Sequence, residues 1–208
     1  MAAVTFPHSV IDEVTAEAAG RPATRTACTA DARGHRPTRL VVVDPRDELV
    51  EVLDDDGSVL EVVPRWRMRA ENLRHRAAYL LVTGRDGRLL LHQRSDTKDL
   101  WPGRWDLAAG GVVAAGESWD DAARRELAEE LGVVDAEPVL LGDARFDSDE
   151  CRVEARVYRV VTDGPFRFAD GEVVAVAFAS AEELTTRLGR DPFVADSPVV
   201  CAPWLPRS

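Results

Sequence analysis

The densest chemistry in the chain lies in the run Arg125-Glu126-Leu127-Ala128-Glu129-Glu130, where three glutamates are related by steps of three and four residues. At about 100° per residue of helix, those steps place Glu126, Glu129 and Glu130 within an arc of roughly 100°. Three carboxylates then share one face, and like charges at that spacing repel by a few tenths of a kcal/mol per pair. A hard divalent cation removes the conflict. Magnesium takes oxygen ligands in octahedral geometry and keeps waters, leaving positions for phosphate oxygens and an attacking water. The pattern points to Mg2+ or Mn2+ held by Glu126, Glu129 and Glu130, which then count as catalytic groups as well as metal ligands. Arg125 precedes Glu129 by four residues and can fork onto its carboxylate, fixing the direction in which it faces the ion. The plainer reading is a solvated charged face, the usual fate of a helix of this composition. Gly111, Glu117 and Gly132 on either side weigh against it.

These residues need a helix to hold them. Ser118 to Leu131 has no Gly or Pro, is rich in Ala, Leu, Glu and Arg, and is followed by Gly132 where a left-handed C-terminal cap belongs. Leu127 and Leu131, on an adjacent face, would anchor that helix to a sheet. Leu40 to Val43, Leu49 to Leu53 and Val59 to Val63 read as strands, the last two joined through the turn dipeptide Asp56-Gly57. Ala77 to Thr83 and Arg88 to Arg94 repeat the pattern around Asp86-Gly87 and should form a strand pair at the centre of the sheet. Val133 to Leu141, Cys151 to Val161 and Val173 to Ala179 are further strands. Ser180 to Leu188 is a second helix, with Ser at its cap and Glu three residues on. Strands interleaved with helices predict an α/β fold with a mixed central sheet.

Residues 1–38, broken by Gly20, Pro22, Gly34 and Pro37, read as an N-terminal tail, and 39–208 as one domain. Within the tail, Ser9 could cap a short helix carrying Val10, Val14 and Ala18. The formal charge of -11, from 37 acidic against 26 basic residues, excludes a surface built to neutralise a nucleic-acid backbone. A small phosphorylated ligand stays compatible with it, since bound cations and a few arginines reverse the local field. Cys28, Cys151 and Cys201 are odd in number and far apart, and read as reduced thiols of a cytoplasmic protein. No apolar run is long enough for a membrane span, and no basic-then-apolar leader opens the chain. Pairing of two copies into a homodimer is open to such a chain.

Gly111 to Val133 reads GVVAAGESWDDAARRELAEELGV, 23 residues that fit G-x5-E-x7-R-E-U-x-E-E-x-G-U at every fixed position, with U a bulky apolar residue. The segment resembles the Nudix box, the defining motif of the Nudix hydrolase family. The stretch LLLHQRSDTKDLWPGRWDLAAGG, Leu89 to Gly111, is similar to the branch of that family that includes isopentenyl diphosphate isomerase. In that isomerase a cysteine just before the box glycine transfers the proton, and Gly110 stands in its place here. His75 matches one of its metal-binding histidines, but the others find no counterpart around Gly110 to Val113; alone, His75 reads rather as a hydrogen-bonded structural residue.

The resemblance implies a Nudix-type alpha/beta/alpha sandwich and a metal-dependent hydrolase that cleaves the diphosphate bond of a nucleoside-diphosphate-linked or related small molecule. The alternatives are an isomerase-like enzyme or a non-catalytic Nudix ligand-binding module. Members of the family often add a Glu from outside the box as ligand or general base; Glu172 is the first candidate here and Glu150 the second. Arg94 and Lys98 are placed to contact the diphosphate, and Gly111 to let the backbone approach the substrate. Trp101 and Trp105 either stack on a substrate ring or pack beneath the Pro-Gly loop, the second being the commoner role.

Overall fold

The computed structural model describes residues 45–168 and 171–206. The expected N-terminal tail, its short helix and the strand Leu40 to Val43 lie outside the described residues. Nine strands form one sheet: β1 (Leu49–Leu53), β2 (Val59–Pro64), β3 (His75–Thr83), β4 (Leu89–Arg94), β5 (Trp105–Asp106), β6 (Ala109–Val112), β7 (Val139–Asp147), β8 (Arg152–Val161) and β9 (Val173–Ala179). The helices are α1 (Arg65–Ala70), α2 (Trp119–Leu131), α3 (Ala181–Leu188) and α4 (Ser197–Val200).

β3 organises the sheet. One of its edges runs parallel to β8 from His75↔Val153 to Thr83↔Val161. Its other edge is shared along its length by three strands: β1 at His75, β6 from Ala77 to Leu80, and β4 at Thr83. The expected pair of central strands therefore meets only at the turn end. Beyond it β4 leaves β3 and pairs with β9 and β5 instead, because β6 has taken its place against β3. The sheet opens at that divergence, with Gly110 and Gly111 on its rim.

Alternation along β3 assigns the two faces. Ala78, Leu80 and Val82 join Leu90, Ala109 and Val113 under α2, where Ala122, Ala123, Leu127 and Leu131 are buried. Ala77, Tyr79 and Leu81 point the other way, toward Trp101, Leu184 of α3, and Phe193, Val194 and Val200 near α4. The result is the expected α/β/α sandwich with a mixed sheet. Fully burying Leu127 and Leu131 is worth about 1.5–3 kcal/mol each and fixes the rotation of α2 about its axis. A third, smaller cluster of Val50, Val52, Val63, Met68 and Val112 seats α1.

The structure departs from the sequence reading at β7 and at α1. Residues 133–138 are not strand, and β7 begins at Val139 after Pro138. Pro138 lacks an N–H for the ladder, so the chain first pairs beyond it. Helix α1, six residues after Pro64 and without a side-chain cap, is too short to leave a clear periodic signal.

Candidate metal and catalytic site

α2 is set at both ends by local chemistry. Ser118 Oγ accepts the Asp121 N–H at 3.1 Å, and Gly132 closes the helix at φ 67°, returning its N–H to Ala128. With Leu127 and Leu131 turned into the sheet, the glutamates divide. Glu126 and Glu130 are 7% and 1% exposed, one turn apart on the inner edge, whereas the Glu129 side chain is 55% exposed.

Each buried carboxylate has its own support. Glu130 accepts the Gly110 N–H at 3.0 Å and the Lys98 ammonium at 3.1 Å. Burial alone would raise its pKa, but Lys98, His92 and the Gly110 amide together hold it below the usual value. Glu126 is pushed the opposite way by burial and by the neighbouring Glu130 charge, which the Arg125 contact only partly offsets. Its carboxylate lies directly over Gly111: a Cβ there would stand 2.4 Å from Glu126 Oε1.

Arg125 does more than the expected fork onto Glu129. Its Nε and Nη2 grip both oxygens of Glu117 at 2.9 and 3.0 Å, Nη2 also reaches the Val112 carbonyl at 3.0 Å, and Nη1 spans Glu126 at 2.7 Å and Glu129 at 3.1 Å. The bidentate partner is Glu117, at the start of the helix, so Arg125 ties the loop after β6 to the metal-type carboxylates.

The structure brings Glu172 to the same place: Lys98 joins the Glu172 carboxylate to that of Glu130. Arg94 lines the same cavity as Lys98, Gly110 and Gly111, but its guanidinium donates twice to the Leu100 carbonyl and lies 3.6 Å from Asp106. Glu150 stands apart, accepting from the indole of Trp101 at 3.1 Å. Trp101 is buried in the core and Trp105 carries the Arg187 guanidinium 4.0 Å from its ring centre, so both pack within the protein. His75 is buried with Nδ1 2.9 Å from the Leu73 carbonyl; burial and the charge of Arg69 depress its pKa to about 3. It has the structural role.

The donor set of Glu126, Glu129, Glu130 and Glu172 is all carboxylate oxygen, the chemistry that suits magnesium or manganese. Among the described residues, no three acidic, histidine or cysteine side chains are already gathered around one point in ion-holding geometry. The carboxylates are instead interleaved with Lys98 and Arg125, which act as their counterions. Lys98 ends a flexible four-carbon stem that can swing away once a divalent ion takes over its charge beside Glu130 and Glu172, so the acidic set fits such an ion.

Residues 73–197 match the NUDIX domain family. The chain is 38% identical over 161 residues to the Uncharacterized Nudix hydrolase YfcD of Escherichia coli strain K12, covering 77% of this chain and 88% of that protein. It is 37% identical over 161 residues to an Uncharacterized Nudix hydrolase of Yersinia pestis, covering 77% and 87%. Among solved structures, DR0079 from Deinococcus radiodurans superposes with a TM-score of 0.64 at 23% identity, over 76% of this chain and all (100%) of that one. A MutT NUDIX hydrolase from Burkholderia pseudomallei gives 0.51 at 23% identity, over 61% and 94%, and these two likenesses speak for the fold. With the box residues converging on one helix and strand end, the chain belongs to the NUDIX domain family and is a Nudix hydrolase, acting on phosphoanhydride bonds.

Proposed function

We propose that the chain cleaves the diphosphate linkage of a nucleoside-diphosphate-linked or related small molecule, using Mg2+ or Mn2+ held by Glu126, Glu129 and Glu130. The observation that carries this reading is the burial of Glu126 and Glu130 side by side at the Gly110-Gly111 rim, with Glu129 and Glu172 beside them. Two acids so placed gain nothing for stability, and they are the groups a dication discharges. When bound, the ion polarises phosphoryl oxygens and makes a nearby water a better nucleophile. The chain's own groups do the rest. Arg125 holds Glu126 and Glu129 in position, the Gly110 amide orients Glu130, and in this reading Glu172, joined to Glu130 through Lys98, takes the proton of the attacking water. Lys98 and Arg94 line the cavity where the diphosphate would lie. Among the described residues no helix is long and apolar enough to cross a membrane.

The isomerase alternative meets a backbone obstacle. Gly110 has φ 141°, and a Cβ there would stand 2.0 Å from the Ala78 carbonyl oxygen. A cysteine has no room at that position while β6 pairs with β3.

The test is a panel of nucleotide sugars, dinucleotides, nucleoside di- and triphosphates and prenyl diphosphates, each with magnesium, manganese or a chelator. The parent should release phosphate or a nucleoside monophosphate from at least one compound only with metal, and the Glu129→Gln, Glu130→Gln double variant should lose at least a hundredfold in rate. A parent that cleaves nothing, or a double variant as active as the parent, refutes the reading; a parent that binds a panel compound without cleaving it favours a binding module.

A further inference from the structure

The cavity beside the carboxylates has one wall that the reading above leaves unused. Gly110, Gly111, Arg94 and Lys98 form the wall nearest the glutamates, while Arg65 and Arg69 of α1 form another together with His75 and Cys151. The cations of the first wall are matched: Lys98 by Glu130 and Glu172, Arg94 by Asp106. On the second, Arg65 has Glu48 at 3.6 Å, as Arg94 has Asp106, but no carboxylate among the described residues lies within 4.0 Å of the half-buried Arg69 guanidinium. Among the described residues the one side-chain hydrogen-bond partner of Arg69 is the Cys151 sulfur, 3.8 Å from Nη1, and its Nε is buried with no hydrogen-bond partner among them.

A half-buried guanidinium without an acid is costly in any protein, and this chain carries eleven more acidic than basic charges from which to draw one. Instead Arg65 and Arg69, one helical turn apart, add their like charges on the same cavity wall. The cost is recovered when an oxyanion enters: a guanidinium presents a planar fork of donors that matches the oxygens of phosphate or carboxylate. We propose that Arg69, assisted by Arg65, is an anion subsite that recognises a second anionic group of the substrate, a phosphate or carboxylate separate from the diphosphate that is cleaved. This deepens the diphosphatase reading and rests on it for the word substrate; the subsite itself rests on the α1 wall. It makes Arg69 a specificity residue, acting on binding and not on the reacting atoms. Substrates ending in an uncharged group would be the poorer ones.

The experiment uses the full chain in chelator, without divalent ions, and titrates inorganic phosphate and, in a second arm, acetate, following heat of binding and melting temperature. The parent should bind at least one of the two saturably; phosphate alone assigns a phosphoryl group, acetate alone or equally a carboxylate. Arg69→Met should weaken that binding at least tenfold, and Arg69→Lys, which keeps the charge but loses the fork, by a smaller factor. Arg65→Met, on the same wall, should weaken it less than Arg69→Met does. Should Arg69→Met not fold, a threefold or greater loss in Arg69→Lys decides the same point. No binding of either ion by the parent, or binding indifferent to Arg69, overturns the proposal. The Glu129→Gln, Glu130→Gln variant separates the two readings: it should keep the Arg69-dependent anion binding even if the parent hydrolyses none of the panel.

Discussion

Replacing Gly110 by cysteine would test the backbone obstacle at the β3–β6 approach, and the structure predicts that it breaks the sheet before it adds any chemistry. An L-residue at φ 141° sits in a region that costs about 1–3 kcal/mol. The new Cβ would stand 2.0 Å from the Ala78 carbonyl oxygen and 3.0 Å from its carbon. Both are fixed backbone atoms, so β3 and β6 must part by roughly 1 Å, stretching ladder hydrogen bonds worth about 0.5–1.5 kcal/mol each. The sum is on the order of 3–5 kcal/mol, a large part of the roughly 5–15 kcal/mol by which a domain is usually stable. For a domain of this size that lowers Tm by about 10 °C, taking roughly 2–4 °C per kcal/mol. The assay is thermal and urea unfolding of Gly110→Cys beside Gly87→Ala, a glycine at φ 82° with nothing within 4 Å, which isolates backbone strain from the clash. A Gly110→Cys variant that melts within 2 °C of the parent (about one-fifth of the expected drop), or no lower than Gly87→Ala, would show that the β3–β6 approach is not the obstacle argued.

Gly111→Ala should do the reverse, because its clash at 2.4–2.8 Å is with the carboxylate end of Glu126 and not with backbone. Stability should change by less than about 1 kcal/mol, while displacing the carboxylate by roughly 1 Å should cost on the order of a hundredfold in turnover, measured as kcat/KM on whichever panel compound is cleaved. Asp196 and His75 give opposed pH dependences. The Asp196 pKa, raised from 3.8 to about 6 by burial and by Asp106, makes the folded chain hold a proton that the unfolded chain has lost, so this residue's contribution falls as pH rises from 3.8 to 6. His75, lowered from 6.5 to about 3, is protonated first in the unfolded chain, so its contribution falls as pH drops from 6.5 toward 3. Between pH 4 and 6 the two slopes, each at most about 1.4 kcal/mol per pH unit, oppose one another. Urea midpoints across that range should therefore steepen toward acid loss in Asp196→Asn and flatten in His75→Gln, whatever each substitution does to the absolute stability.

The helix that carries the chemistry was legible because its signals are local. Ser118, the uninterrupted Ala-Leu-Glu-Arg run and Gly132 specify α2 without reference to anything distant, and the structure keeps all three roles. The strands β1, β2, β8 and β9 were readable as short apolar, Val-rich runs, which are local signals too. What could not be read were relations between segments. Nothing in the spacing says that β4 leaves β3 after one residue pair, that Lys98 reaches Glu130 across the opening, or that Arg125 prefers Glu117 to Glu129. α1 escaped because six residues make little period, and with it went Arg65 and Arg69. The split of the glutamates had a usable signal: Glu126 and Glu130 flank the buried Leu127 and Leu131, while Glu129 lies a step further out.

The charge balance of the site gives the last prediction. Glu117, Glu126, Glu129, Glu130 and Glu172 face Arg125 and Lys98, so with all five carboxylates ionised five negative charges less two positive ones leave three uncompensated. Under the proposed function one dication would bring that excess to one, and a diphosphate would then add more negative charge than the first cavity wall can meet. Lys98, which pairs with Glu130 and Glu172, would then be released toward the substrate. Lys98→Met should therefore separate two properties that move together in most site variants. Removing a competing cation from buried carboxylates should tighten Mn2+ binding at least threefold by calorimetry without substrate, since the attraction between charges is strong in partly buried surroundings. Removing a diphosphate contact should at the same time lower kcat/KM at least tenfold at saturating metal. A variant in which Mn2+ binds more weakly would mean that Lys98 organises the acids and does not compete for them.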